Sequence, residues 1–267
     1  RPFFLYLAHS MPHVPIAASP RFLGASRAGL YGDTIQEIDW SVGEVLKTIK
    51  ANGLTKNTLV VFSSDNGPWR PYGNHAGSPG GLREGKGTTF EAGFRVPGIF
   101  WQPGKVLANR VNKEMASTMD VLPTFAAMAR SGLPKSKIDG HDIAPLLIDA
   151  NAKSPWKWFY YFWPSELQAV RSGDWKLHVA HSHRHQTPPA GVDGKPAGEV
   201  TERIELSLYN LKDDPSEDHN VAEAHPEIVD KLMRMIRVGR AELGDSLRKV
   251  TGNEVRPPGM VFPKGSY

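Results

Sequence analysis

The stretch VVFSSDNGPW, Val60 to Trp69, decides how this chain is read. It opens as a β-branched apolar run of the kind that fills a strand buried on both faces. It breaks at Asp65-Asn66-Gly67. Asn-Gly is a strong turn signal, so turn chemistry by itself accounts for the triplet. A carboxylate beside an amide oxygen is also the ligand pair of a hard cation, calcium or magnesium. Two ligands are too few for such a site, and the others would have to come from elsewhere.

The residues upstream give the run a partner. Pro2 to Ala8, PFFLYLA, is nearly continuous in apolar residues and is expected to be a core strand at the start of the chain. After a polar, proline-containing loop, Tyr31, Ile35, Ile38, Val42, Val45, Leu46 and Ile49 recur at helical spacing, and Gly53 supplies the stop. Strand, helix, strand is the order of a βαβ unit with parallel strands. In open parallel sheets, ligands bind beyond the carboxyl ends of the strands. The first run ends in AHSMPHVP and the second in SSDNG, so His9, His13, Asp65 and Asn66 are expected on one edge of the sheet.

Downstream, NGPWRPYGNHAGSPGGLREGKGTT is too long and glycine-rich to be a mere connection, and such loops inside a domain are usually functional. RVPGIFW reads as another strand, and Ser117 and Asp120 stand at capping-box spacing at the head of a helix in STMDVLPTFAAMA. DGHDIAPLL closes this region. A shift of composition at DANAKSPWK sets a boundary, with residues 1–150 on one side and 151–267 on the other. Beyond it, WKWFYYFW, LQAVRSGDWKLHVA and LSLYNL read as short antiparallel strands, interrupted by the polar insertion HSHRHQTPPAGVDGKPAG. Pro226 then opens a helix with an apolar stripe through Ile228, Leu232, Met235 and Ile236. The expected fold class is α/β, a mostly parallel sheet flanked by helices, followed by a small antiparallel sheet with one packing helix.

Composition removes several classes of function. The chain has 267 residues, 40% hydrophobic and 22% charged, enough for one large core or two smaller ones. No apolar run is long enough to cross a bilayer, and RPFFLYLAHS does not have the pattern of a secretory signal. There is no cysteine, hence no disulfide, cysteine nucleophile or thiolate metal site in these residues. The net charge of +4 comes from lysines and arginines scattered among acids. That is a solvated mixed surface, without the basic run or aromatic platform of a nucleic-acid binder.

Three further candidates stand out. His13, in MPHVP, is either a structural histidine or an acid–base group on the same edge as Asp65. In GGLREGKGTTFE, Gly80, Gly85 and Lys86 have the spacing of a phosphate loop, but Gly87 stands where a serine or threonine is needed. What survives is a lysine on a glycine-rich loop, a point charge for a tetrahedral oxyanion. His181, His183 and His185 alternate within the polar insertion and read as a solvated loop at a pocket rim rather than as metal ligands.

Taken together, PFFLYLAHSMPHVP, TLVVFSSDNG, LREGKGTTFEAGFRVPGIFWQPG and LYNLKDDPSEDHNVA resemble the type I sulfatases of the alkaline-phosphatase superfamily, in the family's order and over nearly the whole chain. The resemblance implies hydrolysis of a sulfate monoester by a formylglycine nucleophile with a divalent cation, calcium, or magnesium as the alternative. It implies that Asp65 and Asn66 are metal ligands, and that Lys86 and His13 contact the sulfate and the leaving oxygen. The implied fold is a large alkaline-phosphatase-like α/β domain with a small C-terminal subdomain. The implied partner is a sulfated small molecule or glycan, in an exported (periplasmic or secreted) or lysosomal setting.

One feature of that family is not found here. Formylglycine is made from the first residue of a Cys/Ser-x-Pro-x-Arg motif, and these residues contain no cysteine and no serine so placed; in ASPRF, Ser19 adjoins Pro20 directly. The resemblance therefore implies that the nucleophile, and further metal ligands, lie in an N-terminal half that precedes Arg1. This chain is then the C-terminal portion, and it is expected to be inactive without that half. Two other functions fit the same residues: a phosphoester or phosphonate hydrolase of the superfamily, and a non-catalytic binder of sulfated glycans.

Overall fold

The computed structural model describes residues 1–257. Its longest element, α1 (Gly29–Ala51), begins after the proline-containing loop and ends where Asn52 and Gly53 return their N–H groups to the carbonyls of the last turn. The strand β1 (Val60–Ser63) follows, and its apolar run stops just before Asp65. A short helix α2 (Glu91–Phe94) and the strand β2 (Gly98–Trp101) come next. Helix α3 (Val121–Met128) is introduced by a capping box in which Ser117 and Asp120 satisfy each other's backbone, as their spacing predicts. Helix α4 (Ala144–Ile148) closes this series.

Two features differ from expectation. β1 pairs antiparallel with β2, Val60 opposite Trp101 and Ser63 opposite Gly98. Pro2–Ala8 joins no strand, and its side chains are exposed, Phe4 at 75% and Tyr6 at 81%. The parallel pairing of this run with β1 is therefore not formed among the described residues. The reason is that an apolar run becomes a strand only when a ladder receives its N–H and C=O groups, and no described segment pairs with this one. Phe4 does make an edge-on contact with Phe125 of α3, ring centres 6.2 Å apart.

The chain divides into two units. The first comprises residues 1–157 together with 183–202 and 215–217, and the second comprises 158–182, 203–214 and the residues from Asp218. The second unit is built on a four-stranded antiparallel sheet of β3 (Phe159–Phe162), β4 (Leu167–Ser172), β5 (Trp175–His178) and β8 (Ser207–Asn210), in that order. Helix α5 (Pro226–Leu243) has proline in its first turn, where a missing N–H costs nothing, and lays Leu232 and Ile236 into the core. Around them are Leu167, Val170, Leu177 and Leu208, all fully buried. Each such side chain contributes about 1.5–3 kcal/mol by leaving water.

The polar insertion is not a plain loop. It starts as β6 (His181–Gln186), which forms a two-stranded sheet with β7 (Glu199–Ile204). His181 and His183 are buried while Ser182 and Arg184 are exposed, the alternation of a strand with one covered face.

Candidate active site

The candidate residues are held by three loops of the first unit. His13 belongs to the first, which α1 secures: the Thr34 hydroxyl donates to the Ala17 carbonyl at 3.2 Å, and the Ser19 N–H donates to the Glu37 carboxylate at 2.7 Å. Further along, the buried Asp33 carboxylate accepts from the N–H groups of Gly24 and Ser26 at 2.8 and 2.7 Å. Polar residues at the start of α1 thus fix the path of the loop.

Asp65 and Asn66 open the second loop, directly after β1. Gly67 follows because the chain runs against α2: its N–H donates to the Gly93 carbonyl at 3.2 Å, and a Cβ there would overlap the Ala92 carbonyl. The third loop carries Lys86, whose N–H donates to the Pro68 carbonyl at 2.9 Å. These bonds lay the Asp-Asn-Gly turn and the lysine loop side by side.

The side chains meet accordingly. Lys86 Nζ lies 3.3 Å from His13 Nε2, across 73 residues of sequence, and 5.6 Å from the centre of the Trp69 ring. His13 Nδ1 lies 2.7 Å from the Val14 carbonyl oxygen, which accepts only if the proton is on Nδ1. Nε2 is then the basic nitrogen and accepts from the Lys86 ammonium. A cation and a proton-accepting nitrogen in contact can hold an anion and move a proton at one of its oxygens.

Asp65 and Asn66 suit a hard cation as part of a site. Asp65 Oδ1 accepts from the Asn66 N–H at 2.9 Å, and Asn66 Nδ2 donates to the Gly67 carbonyl at 3.0 Å. The amide nitrogen is thereby engaged, and its oxygen is the atom that could meet a cation, beside a carboxylate. Calcium takes about six to eight oxygens. Among the described residues no group of three or more histidine, cysteine, aspartate or glutamate side chains is placed to hold a metal, so this pair fits a cation as two ligands of a larger set. The formylglycine is different, because the residues from which it is made are not in the chain.

His9, expected on the same edge, instead places Nε2 3.0 Å from the Ser41 hydroxyl of α1. Sequence reading passed over Glu84, Arg70 and the role of His185. Glu84 is 4% exposed, with Oε1 2.7 Å from His185 Nδ1 and Oε2 3.6 Å from Arg70 Nη1. The signal for His185 was present, since histidine at every second position has the period of a strand.

Comparison with known proteins gives the family and the fold. The sulfatase family model matches residues 1–131, and the model for the C-terminal region of aryl-sulfatase matches residues 154–257. Arylsulfatase A of Bos taurus is 37% identical over 243 residues, 89% of this chain and 48% of that protein. N-acetylgalactosamine-6-sulfatase of Canis lupus familiaris is 36% identical over 250 residues, again 89% of this chain and 48% of the relative. The chain thus spans about half the length of the curated relatives it matches. The solved structure of the PsFucS1 sulfatase from Pseudoalteromonas sp. superimposes with a TM-score of 0.76 at 26% identity, over 91% of this chain and 48% of that one. Ps i-CgsB, solved in complex with k-i-k-neocarrahexaose, gives 0.70 at 28% identity, over 89% of this chain and 49% of that one. The α/β, alkaline-phosphatase-like class expected from the sequence is borne out by these likenesses.

Proposed function

The chain belongs to the sulfatase family, and on that premise we propose that it supplies the leaving-group side of the active site of a sulfuric ester hydrolase. The observation that carries the reading is the 3.3 Å approach of Lys86 Nζ to His13 Nε2. The overall reaction converts a sulfate monoester and water into an alcohol and hydrogen sulfate, breaking the S–O bond on the alcohol side. Negative charge grows on the departing oxygen as that bond breaks. The Lys86 ammonium donates to a sulfate oxygen and to the departing oxygen, lowering the energy of the charge as it forms. His13, held by Val14 through Nδ1, presents Nε2 as the atom that moves a proton at that oxygen.

Asp65 and Asn66 would hold calcium, or magnesium, by a carboxylate and an amide oxygen. The cation, when bound, supplies positive charge that offsets the negative charge developing on the sulfate oxygens. The attack on sulfur is assigned to residues outside these 267, an N-terminal half that brings the formylglycine and the remaining metal ligands. Residues 1–150 act as the C-terminal part of the catalytic domain and the small subdomain lies within 151–267, of which residues 183–202 fold with the first unit. The substrate class is a sulfated carbohydrate. Support comes from the N-acetylgalactosamine-6-sulfatase relatives and from the oligosaccharide complex of Ps i-CgsB. No helix among the described residues is long and apolar enough to cross a membrane. An exported or lysosomal setting is proposed with the family.

The experiment is a paired assay of the whole protein on an aryl sulfate and the matching aryl phosphate, with and without calcium. Calcium-dependent release from the sulfate, at least about tenfold above the phosphate, is the expected result. Preference for the phosphate would replace this reading with that of a phosphoester hydrolase, and binding of sulfated glycan without turnover would replace it with that of a binder.

A further inference from the structure

Glu84 stands two residues before Lys86 in a backbone conformation that glutamate rarely adopts, with φ +59°. For a residue with a Cβ this left-handed region is unfavourable, and it persists only where the surroundings impose it. Here the surroundings are polar groups from two other segments, the strand β6 and the residues after the Asp65-Asn66 turn. One oxygen of Glu84 meets His185 Nδ1 at 2.7 Å, on a segment 101 residues away, and the other faces Arg70 Nη1 at 3.6 Å, just beyond the Asp65-Asn66 turn. His185 Nε2 is in turn 3.9 Å from Glu202 on β7.

The same hairpin grips the lysine loop at its far end. His183 packs edge-on against Phe90, ring centres 4.9 Å apart, and the Arg83 guanidinium lies 4.3 Å from the centre of that ring. Its tip is fastened to the residues after Arg70. The Gly191 and Ala197 N–H groups both donate to the Pro71 carbonyl, at 3.1 and 2.8 Å. Asn74 and Asp193 exchange two hydrogen bonds of 2.9 Å. Residues 183–202 belong with the first unit for these reasons.

We infer that Glu84 is a positioning residue. Through His185 and Arg70 it ties the β6–β7 hairpin and the Asp65–Arg70 loop to the segment that carries Lys86, and so sets where the ammonium stands relative to His13. The inference rests on the proposed role of Lys86. Glu84 is assigned no contact with the substrate itself. A misplacement of the order of 1 Å at a catalytic group can cost about a hundredfold in rate.

The distinguishing variant is Glu84→Gly, because glycine accepts the left-handed backbone, so relief of strain offsets part of the stability lost when the tie is cut. In the whole protein, Glu84→Gly is expected to lower kcat by about tenfold to hundredfold with KM changed less than about threefold, in a variant that stays folded at the assay temperature. His185→Ala is expected to do the same, and the double variant to lose no more than either alone. Glu84→Gln, which keeps an acceptor for His185 Nδ1, is expected to recover most of the loss. Hydrogen exchange gives a second readout independent of turnover: the peptide over residues 82–90 should exchange faster in Glu84→Gly than in the parent. Full activity with unchanged exchange in Glu84→Gly would overturn the inference while leaving the role of Lys86 intact. A Lys86→Ala variant with parental turnover would overturn both.

Discussion

The Lys86 N–H donates to the carbonyl of Pro68 at 2.9 Å, joining the lysine loop to the turn that begins at Asp65. One backbone bond therefore relates the two halves of the candidate site, the Asp65-Asn66 pair and the Lys86 ammonium. The side chains follow from it, with Lys86 Nζ reaching His13 Nε2 at 3.3 Å.

Removal of a cation ligand should separate affinity from fold. Asp65→Ala in the whole protein is expected to weaken calcium binding by at least about tenfold to hundredfold, with thermal stability in the absence of calcium little changed because Asp65 is exposed. Calcium titration after treatment with a chelator measures it. Equal calcium dependence in variant and parent would remove Asp65 from the ligand set.

Gly239 should behave against its usual propensity. Glycine to alanine within a helix ordinarily stabilises by up to about 1 kcal/mol. Here a Cβ at 239 would lie 2.8 Å from the Tyr160 ring and 3.1 Å from Leu167, both held in the packing of the second unit. Gly239→Ala is expected to destabilise by about 1–3 kcal/mol, read from denaturant unfolding. A stabilised variant would contradict the described packing.

Tyr160 should leave a mark at alkaline pH. Burial, and then the nearby Glu242 carboxylate, push its phenol from the usual value of 10.0 up to about 12. The folded state therefore holds this proton more tightly than the unfolded chain does. The stabilisation is fully present below pH 10 and is lost as pH rises from about 10 to about 12. Its hydroxyl also donates to the Met235 carbonyl at 3.0 Å, so Tyr160→Phe should cost about 1 kcal/mol at neutral pH. The gap in stability between parent and variant should narrow across that alkaline window, and a constant gap would show that the phenol is not shifted.

The parts of this molecule legible in the sequence are those fixed by local chemistry. The periodicity from Tyr31 to Ile49 with Gly53 gave α1, the Ser117–Asp120 spacing gave the cap of α3, and Pro226 gave the start of α5. A common edge for His13, Asp65 and Asn66 was read from strand order, whereas the pairing of His13 with Lys86 was legible only through the family resemblance. The βαβ argument behind that common edge used a strand at Pro2–Ala8 that forms no ladder among the described residues. Glu84 was illegible for a different reason. A left-handed backbone is announced by glycine, and here it falls on a glutamate whose carboxylate meets His185, which is distant in sequence. The insertion was misjudged because its polarity outweighed the period of its histidines, although His183 is buried against Phe90.

The most direct test of the account is the steady-state hydrolysis of an aryl sulfate by the whole protein, beside its Lys86→Ala and His13→Ala variants, at saturating calcium. The account predicts that kcat falls by about 10²–10³ in each, the scale of losing a charge-stabilising donor or a proton-transfer group, while both variants remain folded. Turnover within about threefold of the parent in both would contradict the assignment of these residues to the leaving-group side of a sulfatase site.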